Sequence, residues 1–341
     1  MTTGFLAVLF LMVMPSPFRV EDGPATAELR RIHHADQAVR QKDWSKLTEA
    51  EAEQIDKDDT KRLTRVRELL KNGQIVTAED FDIAALIFQH GRTPDDYLTA
   101  HEMALIHMLK GNRVASNMFA LSEDRFLQNI GRRQRFNSQA GFGPDGKLVT
   151  QPVQEDGDGV TDALRADLFQ MTLADYKTTG IRMTDAAREA ITRRAKERLE
   201  PKWLEQGAKS AESAELKRLA EKPDVAGLQR ALELYRADLL RTPEDYLNTA
   251  RLLLAAGAMN SSGDQSADRF LLAHELAAVA AIRSKKPEAM QVQADALDRF
   301  LETVRFGQRY GAYTSPAGPI APVTSSVRAA MGLKEEIKEK L

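Results

Sequence analysis

The same polar landmarks occur twice in this chain, and that repetition restricts its fold more than any other feature. His101-Glu102, Asp124-Arg125-Phe126-Leu127 and Gln134-Arg135-Phe136 recur as His274-Glu275, Asp298-Arg299-Phe300-Leu301 and Gln308-Arg309-Tyr310. The separation is 173 residues for the first pair and 174 for the other two. Polar landmarks kept in register across apolar helical segments predict an internal duplication, each half folding as one copy of the same supersecondary unit. A group present in both copies serves something both copies need. A group present in one copy is free to serve function.

The segments between the landmarks read as helices. Thr77-Ala78-Glu79-Asp80 opens an apolar helix through Phe81, Ala84, Ile87 and Phe88 to His90, closed by Gly91. Thr93-Pro94-Asp95-Asp96 caps the next, through His101 to Gly111, and a third runs from about Val114 to Ile130. Threonine is a natural N-cap, acidic residues suit the positive end of the helix, and Pro94 sits where a missing N–H costs nothing. Thr242-Pro243-Glu244-Asp245 repeats this opening, followed by helices over Ser266–Arg283 and Pro287–Arg305. About eight extra residues before His274 fall in the loop around Asn260-Ser261-Ser262-Gly263-Asp264, where insertions are tolerated. Earlier, Ala27–Lys42 and Asp59–Lys71 read as helices, Thr48 as a helix start, and Asn72-Gly73 as a stop.

The expected architecture is all-α: two related antiparallel helical-repeat units joined by a charged helical connector. The first unit covers 28–180, the connector 181–223, broken at Pro201, Gly207 and Pro223, and the second unit 224–315. A tail over 316–341 follows, ending in a charged helix from Glu335. The Gly, Pro and Asp-rich stretch 141–159 predicts a short irregular or β excursion around Lys147-Leu148-Val149-Thr150. Within it, Asp156-Gly157-Asp158-Gly159 lacks the ligand spacing and closing Glu of a calcium loop and reads as a turn.

Composition removes several function classes. Lys and Arg number 48 against 50 Asp and Glu, so no positive field calls for nucleic acid. Charged residues at 29% with aromatics at 6% favour exposed amphipathic helices over a sandwich of sheets. The absence of cysteine excludes disulfides, thiolate nucleophiles and cysteine-ligated zinc. The apolar run Gly4–Met14 is shorter than the ~20 residues a bilayer span needs. It suits the core of a signal peptide over 1–27, with Ala25-Thr26-Ala27 as the small-residue cleavage site. The expectation is a secreted or periplasmic protein with no membrane span after cleavage. The alternative keeps the run as a buried helix or a mis-assigned start, and the protein in the cytoplasm.

The candidate site residues are His90, His101, Asp124, Arg125 and Gln134. Antiparallel packing of three consecutive helices would bring them towards one end of the bundle. Imidazoles beside a carboxylate can share a proton, and an arginine fork can hold an anion. His90, His101 and Asp124 are also the candidate ligands for a divalent metal, although no cofactor is expected. His101-Glu102 begins like a zinc-protease motif, but Leu105 stands where the second histidine belongs and Ala278 does so in the other copy.

The duplication redistributes these roles. His101, Asp124, Arg125 and Gln134 have counterparts in His274, Asp298, Arg299 and Gln308, so the shared set is expected to join helices. Gln89-His90 aligns with Leu254-Ala255 and has none, which makes His90 the better candidate for function. Asn137 and Gly311 occupy equivalent positions and tolerate positive φ, predicting the same fixed turn after the third helix of each copy. The pair His33-His34 reads as part of an exposed helix start.

These residues carry a resemblance. Gln89-His90, Asp124-Arg125 and Gln134-Arg135-Phe136-Asn137-Ser138-Gln139 resemble the pattern of an uncharacterised bacterial helical family, domain of unknown function 6624. The resemblance spans roughly Arg30 to Tyr176 and takes in Asp36, Arg40 and Asp162-Ala163-Leu164-Arg165. The first half departs from the pattern at Asn137 and Ser138, and the second half further, at Ala312 and Tyr313 and in lacking the Gln-His pair. The family implies a helical fold and supplies no activity, cofactor or partner. A tetratricopeptide solenoid would show a steady period of about 34 residues, and none is present. The expectation is therefore an exported helical-repeat module that binds a protein or small molecule or serves a structural role. The alternative is a hydrolase-like or metal-dependent enzyme with its site in the first copy.

Overall fold

The computed structural model describes residues 22–43, 46–111, 117–142, 148–150, 152–155, 158–179, 184–257, 259, 263–311 and 323–333. The expected signal peptide, up to residue 21, and the charged helix from Glu335 lie outside these residues. The protein is all-α, with one short hairpin of β1 (Ala140–Phe142) and β2 (Leu148–Thr150), in which Gly141 faces Val149. No helix among the described residues is long and apolar enough to cross a membrane.

The chain divides into two compact units. The first comprises Met1–Gln154 with Gln170–Arg188, the second Glu155–Phe169 with Glu189–Leu341. In the first, α1 (Thr26–Arg40), α2 (Glu49–Lys71), α3 (Ala78–Gln89), α4 (Pro94–Lys110) and α5 (Met118–Asn129) precede the hairpin, and α6 (Leu173–Thr179) and the start of α7 (Asp185–Glu197) follow. Thr48 and Glu51 form a capping box, and α2 runs unbroken to Lys71 instead of starting again near Asp59. Thr77 with Asp80 and Thr93 with Asp96 form the same device, a side chain and a backbone N–H bonding in each direction. Each satisfies two N–H groups that the helix itself leaves without partners.

Neighbouring helices run antiparallel, as short connections require. Arg40 reaches Asp59 at 2.9 Å while Arg65 reaches Glu28 at 2.7 Å, which fixes α2 against α1. The α1 and α3 helices then run in the same direction. Thr26 Oγ1 donates to Asp80 Oδ1 at 2.6 Å near their starts, and His90 Nδ1 meets Asp36 Oδ1 at 3.0 Å near their ends. Both bonds join residues 54 apart in sequence. Helix α3 is enclosed almost all round, with Phe81, Ala84, Ala85, Ile87 and Phe88 each at most 2% exposed. Burying one such large apolar side chain contributes roughly 1.5–3 kcal/mol, so α3 is the axis of this unit.

The second unit contains α8 (Asp162–Asp167, the short helix after the hairpin), α9 (Pro201–Ala208), α10 (Ala211–Glu221), α11 (Val225–Arg236), α12 (Pro243–Ala256), α13 (Gly263–Ser284), α14 (Pro287–Thr303) and α15 (Ser325–Ala330). The stretch expected to be a connector is not free-standing here. Helix α10 packs on α11 and α12, with Leu216 fully buried. The break expected at Gly207 is present: the glycine lies in the last turn of α9, which ends at Ala208, and an added Cβ there would come within 2.8 Å of Arg241 Cβ.

Positions equivalent in sequence adopt the same local geometry in the two units. After α2, Gly73 (φ 66°) lets Gln74 N–H bond back to Leu69 O; after α11, Asp238 (φ 55°) does the same for Leu239 and Leu234 O. After α5 and α14, Gly131 (φ 76°) and Arg305 (φ 60°) set up the bonds from Arg132 to Leu127 O and from Phe306 to Leu301 O. These are left-handed helix endings that satisfy terminal carbonyls. Asn137 (φ 59°) and Gly311 (φ 58°) share the turn expected of them.

Candidate functional site

The sequence-expected residues separate into two groups. Asp124 is fully buried on α5 and holds the segment that follows. Its Oδ1 accepts from the Arg135 and Phe136 N–H groups at 2.7 and 2.9 Å, and its Oδ2 from Ser138 N–H and Oγ, both at 2.7 Å. Burial pushes the Asp124 carboxyl above its usual range, and these four donors act against that. Asp298 accepts from Arg309 and Tyr310 N–H at 2.7 and 3.0 Å in the same way. Gln134 is a second clamp on this turn. It donates to Gln139 O at 3.0 Å and accepts from Gln139 N–H at 2.7 Å. Gln308 departs from this and donates to Glu302 at 2.9 Å.

His101 is 2% exposed, and its Nδ1 lies 3.0 Å from the Phe119 carbonyl, joining α4 to α5. The Phe119 ring stands 4.2 Å from the imidazole, centroid to centroid. Burial lowers the His101 pKa to about 4, only partly opposed by the Phe119 carbonyl, so the ring is neutral at neutral pH. His274 Nδ1 lies 3.2 Å from Gln293 O, the position equivalent to Phe119, and 2.8 Å from the Gln293 amide nitrogen. Among the described residues, His90, His101 and Asp124 do not converge as three ligands of one ion. Both Asp124 oxygens are already occupied by donors, which leaves that carboxylate unsuited to a metal.

His90 stands apart. It is the C-cap of α3, and its Nδ1 faces the carboxylate of Asp36 on α1. Asp36 is 1% exposed and also accepts from Arg40 at 3.2 Å and Gln37 at 2.9 Å. Burial opposes its charge, but His90 and Arg40 more than offset this and hold the carboxyl below its usual range. For His90 the balance falls the other way. Burial, with Arg40 and Arg125 nearby, outweighs the pull of Asp36 and lowers the ring's pKa. The imidazole is therefore neutral at neutral pH, and Asp36 favours the tautomer with the proton on Nδ1. Nε2 is left as the acceptor. It has no hydrogen-bond partner among the described residues, and the side chain is 19% exposed.

Arg125 joins the same cluster. Its Nη1 donates to the Gln89 carbonyl at 2.6 Å, and its Nε and Nη2 to Gln139 Oε1 at 3.2 and 3.1 Å. The guanidinium lies 5.6 Å from the Tyr97 ring centre, and Tyr97 donates its hydroxyl to Gly91 O at 2.8 Å. Gln89 and Gln139 both donate to the Leu121 carbonyl. Thus His90 and Arg125 come together, while His101, Asp124 and Gln134 serve the helix junction and the turn. Asp36 and Gln139 were not among the residues singled out as candidates, whereas Gln89 was, as half of the Gln89-His90 pair that has no counterpart. Asp36 and Arg40 carry a legible signal, an Asp-x-x-x-Arg pair one turn apart on a helix. What links them to His90 lies 54 residues away.

In the second unit a groove of about 550 Å³ is lined by Arg194, Arg198, Lys202 and Trp203 with Glu197, Glu200 and Gln206. Arg194 and Arg198 are each paired with Asp167 and Asp238, so the groove offers little uncompensated charge. It contains none of the candidate residues. Comparison with family models, with curated proteins and with solved structures finds no match to this chain.

Proposed function

We propose that this chain is an exported, internally duplicated helical module that acts by binding, with its ligand-facing groups confined to the first unit. One observation carries the reading: Nδ1 of His101 and of His274 lies against the carbonyl of the equivalent residues Phe119 and Gln293, and Asp124 and Asp298 each accept from two equivalent backbone N–H groups. Groups used that way in both units are framework. The apolar run Gly4–Met14 supports export. The Gln89-His90, Asp124-Arg125 and 134–139 motifs support membership of the uncharacterised family named above.

The test is paired substitution. His101→Phe and His274→Phe each remove a buried hydrogen bond between helices, a loss of about 1–2 kcal/mol. At roughly 2–4 °C per kcal/mol for a unit of this size, each variant is expected to melt several degrees below the parent in differential scanning calorimetry. A melting temperature unchanged in either variant overturns the framework reading.

The second reading is an enzyme, plausibly hydrolase-like, with His90 as a general base. The open Nε2 opposite an Asp36-bound Nδ1 favours it. Metal analysis of the purified protein and an activity screen of His90→Ala against the parent test it. A loss of turnover without a loss of melting temperature supports this reading, and equal turnover removes it.

A further inference from the structure

Among the described residues, Arg125 carries a charge that no carboxylate balances. All three of its hydrogen bonds end on amide oxygens, those of the Gln89 backbone and the Gln139 side chain, and no Asp or Glu pairs with it among the described residues. Its surroundings withdraw it from water enough for burial to pull its pKa down. A half-buried guanidinium without an anion is disfavoured, because the hydration it loses is not repaid by an opposite charge. Its counterpart resolves this locally. Arg299 Nε reaches Asp295 Oδ1, one turn earlier on α14, at 2.8 Å. The residue at the equivalent place in α5 is Leu121. In the first unit the intrahelical counter-ion is absent and the cation is kept.

The neighbouring charges do not supply the missing anion. Arg40 bridges Asp36 and Asp59, and Arg62 meets Asp59 at 2.5 Å. Two carboxylates thus face two guanidiniums beside a neutral His90, and that group is balanced without Arg125. A second observation points to a ligand. Gln89 is 4% exposed, its amide nitrogen donates to Leu121 O, and its Oε1 is buried with no hydrogen-bond partner in the described structure. Buried acceptors are normally satisfied. An uncompensated cation, an orphan acceptor and an open imidazole nitrogen therefore belong to Arg125, to Gln89, whose carbonyl it bonds, and to the adjoining His90, whose charge it opposes.

We propose that the first unit binds a small molecule bearing an oxyanion, a carboxylate or a phosphate group. Arg125 is its counter-ion, Gln89 Oε1 accepts from a hydroxyl or amine of the same molecule, and His90 Nε2 accepts a further hydrogen bond from it. Arginine suits either oxyanion because its planar fork matches both. The second unit, with Leu254 and Ala255 for Gln89-His90 and Arg299 already paired, is not expected to bind it. The proposal rests on the reading that the first unit alone faces ligand.

The experiment is a titration of the full chain with inorganic phosphate and, separately, with acetate at constant ionic strength. The readout is the imidazole resonances in two-dimensional NMR, assigned by His90→Gln, with affinity from calorimetry. The expected result is a saturable shift of the His90 signals for at least one anion, a rise in the His90 pKa on saturation, and binding weakened by about tenfold or more in Arg125→Gln. Saturation by phosphate alone assigns a phosphate ligand, and by acetate alone a carboxylate. Because Arg125 also braces Gln89 and Gln139, Arg125→Lys is the substitute if the glutamine variant does not fold. It keeps the charge but not the fork, and weaker binding is again expected. No saturable shift with either anion, or parent-like binding in a folded Arg125 variant, overturns the proposal. Arg299→Gln separates the two layers: anion binding lost there with Arg125 intact refutes confinement to the first unit, whereas absent binding everywhere refutes only the oxyanion site.

Discussion

Replacing Asp124 by alanine should unfold the first unit more readily than any other single change in the shared set. The carboxylate is fully buried and takes three backbone N–H groups, of Arg135, Phe136 and Ser138, together with the Ser138 hydroxyl. Alanine leaves the three amides without acceptors in a region closed to water. Each orphaned amide costs roughly 1–3 kcal/mol. The hydroxyl keeps a second acceptor, Ala120 O at 3.2 Å. Removing a carboxylate that burial itself disfavours returns part of the loss. The net expectation is about 3–5 kcal/mol, a large share of the roughly 5–15 kcal/mol that holds a domain together. Asp124→Asn should cost about half as much. It preserves one acceptor oxygen but turns an amide towards the Ser138 N–H, and the Ser138 hydroxyl can rotate to accept from it. Urea unfolding followed by far-UV circular dichroism measures both. A loss for Asp124→Ala below about 1 kcal/mol, with an unchanged denaturant slope, would refute the claim that this carboxylate organises the 134–139 turn.

Two further outcomes follow from the same geometry. His101 titrates at about 4 when folded and near the ordinary histidine value of 6.5 when unfolded. A base with a depressed folded pKa stabilises the fold above the unfolded pKa, and this contribution is lost as pH falls from 6.5 to 4. The loss is about 3 kcal/mol, read as the fall in unfolding free energy between the ends of that window. His101→Gln should flatten this fall, and an equally steep fall in that variant would refute the assignment. Asn137 combines φ 59° with a buried amide of which neither polar atom has a hydrogen-bond partner in the described structure. Asn137→Gly should therefore lie within about 1 kcal/mol of the parent in denaturant unfolding, whereas the β-branched Asn137→Val should lose about 2–3 kcal/mol. A valine variant as stable as glycine would show that the backbone leaves the left-handed region.

The local chemistry of the chain was legible residue by residue. Thr77, Thr93 and Thr242 with an acid three residues on announce helix starts because the capping bonds lie within four residues. Asn137 and Gly311 announce a left-handed turn because few other residues adopt it at low cost. Where sequence alone misplaced an element, longer-range contacts were responsible. The extension of α2 across Glu49–Lys71 follows from packing on α1 through Arg65–Glu28 and Arg40–Asp59, which no periodicity count records.

The repeated landmarks by themselves marked His101 and Asp124 as groups with counterparts, and Nδ1 of His101 and His274 and the carboxylates of Asp124 and Asp298 make matching local contacts. The landmarks also singled out Gln89-His90 as the part without a counterpart. Only the tertiary structure decided what His90 faces and what Arg125 lacks. The Asp36–His90 contact joins two parallel helices with α2 between them in sequence. A missing counter-ion is a property of everything packed around a side chain, so no stretch of sequence contains it. Short-range hydrogen bonds are written in neighbouring residues. The charge balance of a buried site is settled only when distant segments close around it.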